Sequence, residues 1–377
     1  MCIRDRLIIG SGVVGSALAI KTSQLGYKVA IVDSKETFPN SFRHLSVNQK
    51  SKAFFNSLNV WKKIENSAFP YEQIKVWDQE GTGFIDFNAQ EANLPNLGYI
   101  IREGEIQKNL IGEFQKNNIE SFWGEPLIKI DHSSGAIVRK TNKQTLQAKM
   151  IIGCDGMNSK VRELAEINFR SWSYNQTAIV TNFKTEINDN CIKQTFTSIG
   201  PLALLPIKED ESTMIWSIDD DVSYKFISMS ENEFTAEVKN KFSEHIGKLK
   251  MLSKRQHFPL HHLSAKTFAN NGIFLVGDSA HHIHPLAGLG LNAGIGDVEC
   301  LAELIKLNGL EKMKEITSSY NRKRIPINLG LAASMEAFKR GFSQKNIWVK
   351  LFRNTAFNIA NKVSPLKKKF MELATEL

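Results

Sequence analysis

At 377 residues the chain is long enough for two cores, and 42% hydrophobic with 23% charged residues is the balance of a folded globular protein. Four scattered cysteines (Cys2, Cys154, Cys191, Cys300) with no CxxC argue against a disulfide framework and a zinc site, and fit a reducing compartment. The net charge of +9 is localised: nine cations and no acid lie between Glu336 and Glu372, with no nucleic-acid motif and no apolar run long enough to span a membrane.

Met1–Arg6 (MCIRDR) sets three charged residues at the head of a strand that should be apolar, which points to a misassigned start or a sequence-assembly scar. Leu7–Asp33 then reads as strand, Gly10-x-Gly12-x-x-Gly15, helix, strand, acid. In that context the glycine motif is a strong dinucleotide signal. The helix N-terminus takes a pyrophosphate and Asp33 bonds ribose hydroxyls. Gln73–Phe87 alternates and predicts strands, and Glu120–Ile137 predicts a strand pair. Met150–Ile152 is a short apolar strand running into Asp155-Gly156, with Ser159 and Arg162 on a following helix. A pair between Arg162 and Asp155 would fix that turn.

The stretch Gly272–Glu299 (GIFLVGDSAHHIHPLAGLGLNAGIGDVE) organises the rest. An apolar strand, Ile273–Val276, ends at Asp278, a His- and Gly-rich turn follows, and a helix begins near Leu289. A helix start offers free N–H groups and positive potential, and Gly288 and Gly290 let backbone approach a flat ligand. His261, His262, His281, His282 and His284 crowd this part of the chain, but no recognisable ligand spacing completes a metal site. Helical patterns cover Cys300–Leu307, Ser319–Lys339 and Ile347–Val363. The last is amphipathic and basic, and predicts either packing on the core or contact with an anionic membrane.

Taken together, these segments resemble the flavoprotein aromatic hydroxylases, and most of all their ubiquinone-biosynthesis branch. The resemblance rests on Gly277–Val298, on Arg43-x-Leu45-Ser46, on Gly98–Leu110, on Asp155-Gly156-x-x-Ser159-x-x-Arg162, and on GPLALLP at Gly200–Pro206. It implies an α/β fold: a Rossmann-like FAD-binding domain (1–70, 98–165 and 266–330), an inserted mixed or antiparallel substrate sheet (71–97 and 166–265), and a C-terminal helical segment (331–377). It implies FAD contacts at Gly10, Gly12, Val13, Val14, Gly15, Asp33, Arg43, Arg102, Asp155, Asp278, Pro285, Gly288, Gly290, Leu291 and Asn292. Asp278 takes the ribityl chain, and Gly288–Asn292 faces the pyrimidine end of the flavin. Ser46, Ser51 and Trp61 are assigned to capping and packing. At Arg102-Glu103-Gly104 the chain departs from the family pattern.

The implied reaction is hydroxylation of the aromatic ring of a polyprenylated phenol in ubiquinone biosynthesis. It uses NAD(P)H or another reductant, molecular oxygen and a C4a-hydroperoxyflavin. No acid–base residue is assigned; Pro285, Gly288 and Gly290 shape the flavin site. The expected setting is the cytoplasm, with peripheral contact at the inner face of the cytoplasmic membrane through Lys345–Lys369 and membership of a ubiquinone-biosynthesis complex. Two other readings stay open: a hydroxylase of a soluble aromatic compound or a prenyl-chain reductase, and a flavin-binding accessory protein.

Overall fold

The computed structural model describes residues 4–37, 41–79, 83–131, 137–140, 145–187, 189–242, 246–284 and 288–343. Pro285 and the basic segment Lys345–Lys369 lie outside these residues. Among the described residues no helix is long and apolar enough to cross a membrane.

The described residues form three sheets. The first is built on parallel strands in the order Ile273–Leu275, Thr145–Gly153, Arg4–Ile9, Val29–Val32, Glu120–Phe122. Its central strands are covered on both faces, as parallel sheets demand: Leu7, Ile8, Ala30, Ile31, Ile151 and Ile152 are fully buried. Helix Val13–Gln24 packs on one side, and so does helix Leu289–Asn308, which starts at Gly288 in the left-handed region (φ 62°) and stops at Gly309 (φ 67°).

The charged head of the first strand is accommodated unevenly. Arg4 reaches Glu120 and Asp5 pairs with Lys149 at 3.3 Å. Arg6 is fully buried over the Tyr27 ring at 3.5 Å, and none of its guanidinium nitrogens finds a hydrogen-bond partner among the described residues. Burial lowers its pKa to about 10.

The second sheet runs in the order His281–His282, Gln256–Ala265, Phe169–Thr185, Glu211–Asp219, Gly200–Lys208, Cys191–Thr197, Gln73–Asp78, Phe84–Asn88. One face is sealed by helices Asp220–Ser228 and Glu231–Phe242: Trp216, Leu204, Met214 and Phe183 pack there against Phe226, Phe234 and Phe242. The opposite face looks toward helix Leu289–Asn308. A small antiparallel sheet, His44–Asn48, Gly98–Arg102 and Phe69–Tyr71, stands between the two large ones. The stretch Gly272–Glu299 thus gives a strand to the parallel sheet, a strand to the mixed sheet, and then a helix. It joins the two halves of the molecule.

Candidate functional site

The first glycine turn is shaped from within. A Cβ at Gly10 (φ 99°) would lie 2.3 Å from the Cys154 carbonyl oxygen, and one at Gly15 would lie 2.0 Å from that of Gly10. Both positions need glycine because backbone crosses backbone there. Gly12 differs: nothing stands within 4 Å of where its Cβ would be, so the helix start opens outward at this residue. Asp33 arrives at the end of Val29–Val32 and accepts from the Ser11 N–H (2.8 Å) and hydroxyl (2.6 Å). Gln107, on helix Glu103–Ile111, donates to the Ser11 carbonyl at 2.9 Å. Sequence reasoning passed over Gln107, whose only signal was a polar residue beside the broken Arg102–Gly104 pattern. Val13 is buried. Val14 wedges toward the second turn, its methyls close to Gly277 and Gly294.

That second turn repeats the design. Gly288 is hemmed by Ser46, whose Cβ lies 2.8 Å from the position a Cβ would take, whereas Gly290 meets nothing within 4 Å. Asn292, buried, ties the helix start to the small sheet: its amide donates to the Ser46 carbonyl at 3.0 Å, and its oxygen accepts from the Asn48 N–H at 3.1 Å. Leu291 points into the main core. Asp278 meets His282 Nδ1 at 3.0 Å. Burial pushes the Asp278 carboxyl up, but His282, Arg43 and His281 outweigh it and hold it below the usual value.

Beneath this turn lies an ion set that the sequence reading missed. Asp297, fully buried, accepts from the Gly277 N–H (2.9 Å), from His281 Nε2 (2.6 Å) and from Arg324 Nε (2.6 Å). Burial alone would raise its pKa; His281 and Arg324 reverse that and lower it to about 2. Arg324 also donates to the Ala293 carbonyl at 3.0 Å. The available signal was an acid in a helix whose neighbours Leu291, Ala293, Val298 and Leu301 are all core residues. Two further histidines have partners of their own: His284 with Gln176 (3.2 Å), and His262 with Trp172, stacked at 3.8 Å.

The remaining residues singled out above fall into different settings. Arg43 is largely exposed, 3.8 Å from Glu103. Arg102 donates to the Ser41 carbonyl at 2.9 Å and lies over the Phe42 ring. Asp155 accepts from the Ser159 hydroxyl (2.5 Å) and from the Lys160 and Val161 N–H groups, and so caps helix Lys160–Leu164. The expected Arg162–Asp155 pair does not form. Arg162 instead donates to the Ser279 (2.8 Å) and Met157 (2.7 Å) carbonyls, because the acid is already taken by the helix N-terminus. Arg162 thereby links the Asp155-Gly156 turn to the Gly277–Ser279 turn. Asn48, rather than Ser46 or Ser51, caps helix Gln49–Ser57; its side chain accepts from the Ser51 N–H. Ser46 is buried and shares a 2.9 Å hydrogen bond with Tyr71, while Trp61 is packed in the core.

Two helix starts, each with one glycine open to an approaching group and an acid nearby, form a cradle fit for an elongated dinucleotide. A family model described as an FAD binding domain matches residues 4–333. The chain belongs to the FAD binding domain family. FAD is therefore its cofactor, and the residues around Gly12 and Gly290 have the open geometry that FAD requires. Among curated relatives, 3-demethoxyubiquinol 3-hydroxylase of Escherichia coli is 28% identical, covering 98% of this chain and 98% of its own. The mitochondrial ubiquinone biosynthesis monooxygenase COQ6 of Homo sapiens is 28% identical, covering 99% and 92%. Among solved structures, p-nitrophenol 4-monooxygenase PnpA from Pseudomonas putida superposes with a TM-score of 0.81 over 99% of this chain and 98% of its own, at 17% identity; it shares the fold.

Proposed function

We propose that the chain is an FAD-dependent monooxygenase that hydroxylates the aromatic ring of a polyprenylated phenol in ubiquinone biosynthesis. It consumes molecular oxygen and reducing equivalents from NAD(P)H or another donor. The observation that carries the reading is the meeting of cradle and sheet at one place. Ser46 touches Gly288 of the second turn and bonds Tyr71, whose ring belongs to the apolar cluster on the open face of the mixed sheet. A flavin lying across Gly288–Asn292 would thus face an apolar chamber. The near full-length similarity to ubiquinone-pathway hydroxylases supports the same conclusion.

FAD, once reduced, supplies the oxygen-activating chemistry. The chain supplies position and field. The N–H groups at Gly12–Val14 receive the pyrophosphate, with Gly10 and Gly15 shaping the turn. Asp33 exchanges its Ser11 bonds for ribose hydroxyls, and Asp278 holds the ribityl chain. The start of helix Leu289–Asn308 sets positive potential where a reduced flavin carries charge. Arg43 and Arg102 stand at the rim, while Asp155 acts through the turn that Arg162 ties to Ser279. Pro285 belongs to the same proposed site. The parallel-sheet part (1–70, 98–165, 266–330) is the FAD domain, and 71–97 with 166–265 is the substrate part. Membrane contact through the basic C-terminal segment, on the inner face of the cytoplasmic membrane, and assembly into a biosynthetic complex belong to the same proposal.

The test is a quinone profile, by mass spectrometry, of cells lacking the chain. We expect a prenylated phenol short of one hydroxyl, cleared by the intact gene and not by Asp278→Ala. An unchanged quinone pool in cells with no second hydroxylase would sink the reading.

A further inference from the structure

The register of the mixed sheet places five side chains in one row on its open face: Val76, Gln194, Ala203, Ile215 and Val180. All five are half-buried. The neighbouring rows on either side each include buried positions. On one side Ile192 and Leu205 pack with Tyr71 and Ile100; on the other Phe196 packs with Ile283, Leu289 and Ala293. The half-buried row forms the floor between these two clusters, which reach Tyr71 and Leu289. These are the neighbours of Ser46 and Gly288, where the proposed flavin site ends.

Four of the five floor residues are aliphatic. Gln194 is the exception. Its amide makes no hydrogen bond among the described residues, although an amide surrounded by aliphatics gains from a partner. The row holds no charge. The adjacent Lys193 points to the opposite face and is held by Asp189 at 2.6 Å.

We propose that Gln194 is the specificity-determining residue of the ring pocket. Its amide hydrogen-bonds an oxygen substituent of an uncharged aromatic ring, and the four aliphatics hold the ring flat against the flavin. Four apolar contacts alone would bind a ring in any rotation about its own plane. One directional amide selects the rotation, and so the carbon presented for hydroxylation. A ring bearing a carboxylate is disfavoured, because nothing in the row compensates its charge. The inference rests on the phenol-hydroxylase reading above and adds the residue that reads the ring.

The FAD-loaded protein is titrated with 4-propylphenol, propylbenzene and 4-hydroxybenzoate, following the perturbation of the flavin absorbance band. In the unaltered protein we expect 4-propylphenol to bind more tightly than either of the others. Gln194→Leu should weaken 4-propylphenol about tenfold, the loss of one neutral hydrogen bond, and leave propylbenzene unchanged. Gln194→Arg should admit 4-hydroxybenzoate. A residue that merely supports the fold would shift both neutral probes together. An equal affinity gap between 4-propylphenol and propylbenzene in Gln194→Leu and the unaltered protein overturns the inference and leaves the hydroxylase reading intact. Failure of the unaltered, FAD-loaded protein to bind any phenol overturns both.

Discussion

The two glycine turns do the same job with different materials. The turn after Arg4–Ile9 is held by backbone packing and hydrogen bonds: Gly10 against Cys154, Gly15 against Gly10, and Ser11 fixed by Asp33, Ser16 and Gln107. The turn after Ile273–Leu275 is held by a buried charge, Asp297, answered by His281 and by Arg324 from the next helix. Close packing suffices where strand, turn and helix are contiguous in sequence. The second turn is longer and must also pass a strand to the mixed sheet, so it draws its support from further along the chain. The first turn should therefore fail by steric clash, and the second by loss of charge balance.

The largest effect should come from Gly15→Ala. A methyl 2.0 Å from a carbonyl oxygen forces the helix off the strand. We expect a loss of roughly 4–5 kcal/mol, at the top of the range for point changes, with FAD retention abolished, as read by urea unfolding and flavin fluorescence. Gly12→Ala sharpens the contrast. It should leave the unfolding midpoint within ~1 kcal/mol of the parent, allowing for a helix-entry substitution, while weakening FAD binding. Equal destabilisation by both would break the distinction between the closed and open glycines.

Next is Asp297→Asn, which leaves Arg324 charged and buried. We expect a cost of about 3–5 kcal/mol. The same group gives a pH signature. Its folded-state pKa, near 2, lies below the ordinary 3.8, so its stabilisation is fully present above about pH 4 and is lost as pH falls toward 2. His44 and His262 act earlier. Burial lowers both from 6.5 to about 4, so the unfolded chain binds their protons first and stability falls as pH drops from 6.5 to 4. Denaturant midpoints between pH 7 and pH 3 should show this two-stage decline. An Asp297→Asn variant whose stability declines as steeply as the parent's below pH 4 would refute the charge-held turn.

The smallest effect, and the one stabilising change, is Arg6→Val. It replaces a buried guanidinium stacked over the Tyr27 ring by a residue the parallel sheet accepts, and should raise stability by about 1–2 kcal/mol. A lower melting temperature in the variant would mean that the Tyr27 contact outweighs the burial.

Much of this was legible in the sequence, unequally. The first turn and the Gly272–Glu299 stretch could be read because strand, glycines and helix follow one another within a few residues, so local rules decide them. The Arg162–Asp155 pair was misjudged because spacing says which residues are near, not which N–H groups compete for the acid. Asp297 and Arg324 escaped because the pair exists only once two helices have packed. Gln194 was invisible for a deeper reason: its setting depends on the register of five strands, and a one-residue slip in any of them would turn a different side chain to that face.

Asp297 accepts from Gly277 in the cofactor turn and, through its other oxygen, from Arg324 on helix Met313–Ser343. Whatever orders that turn also favours the docked position of the helix, and by thermodynamic reciprocity undocking the helix loosens the turn. Cofactor loading and closure of this C-terminal latch are thus a single equilibrium. Backbone amides around Arg324 should exchange with deuterium more slowly in the FAD-loaded protein than in the apoprotein, although no part of the flavin need touch them.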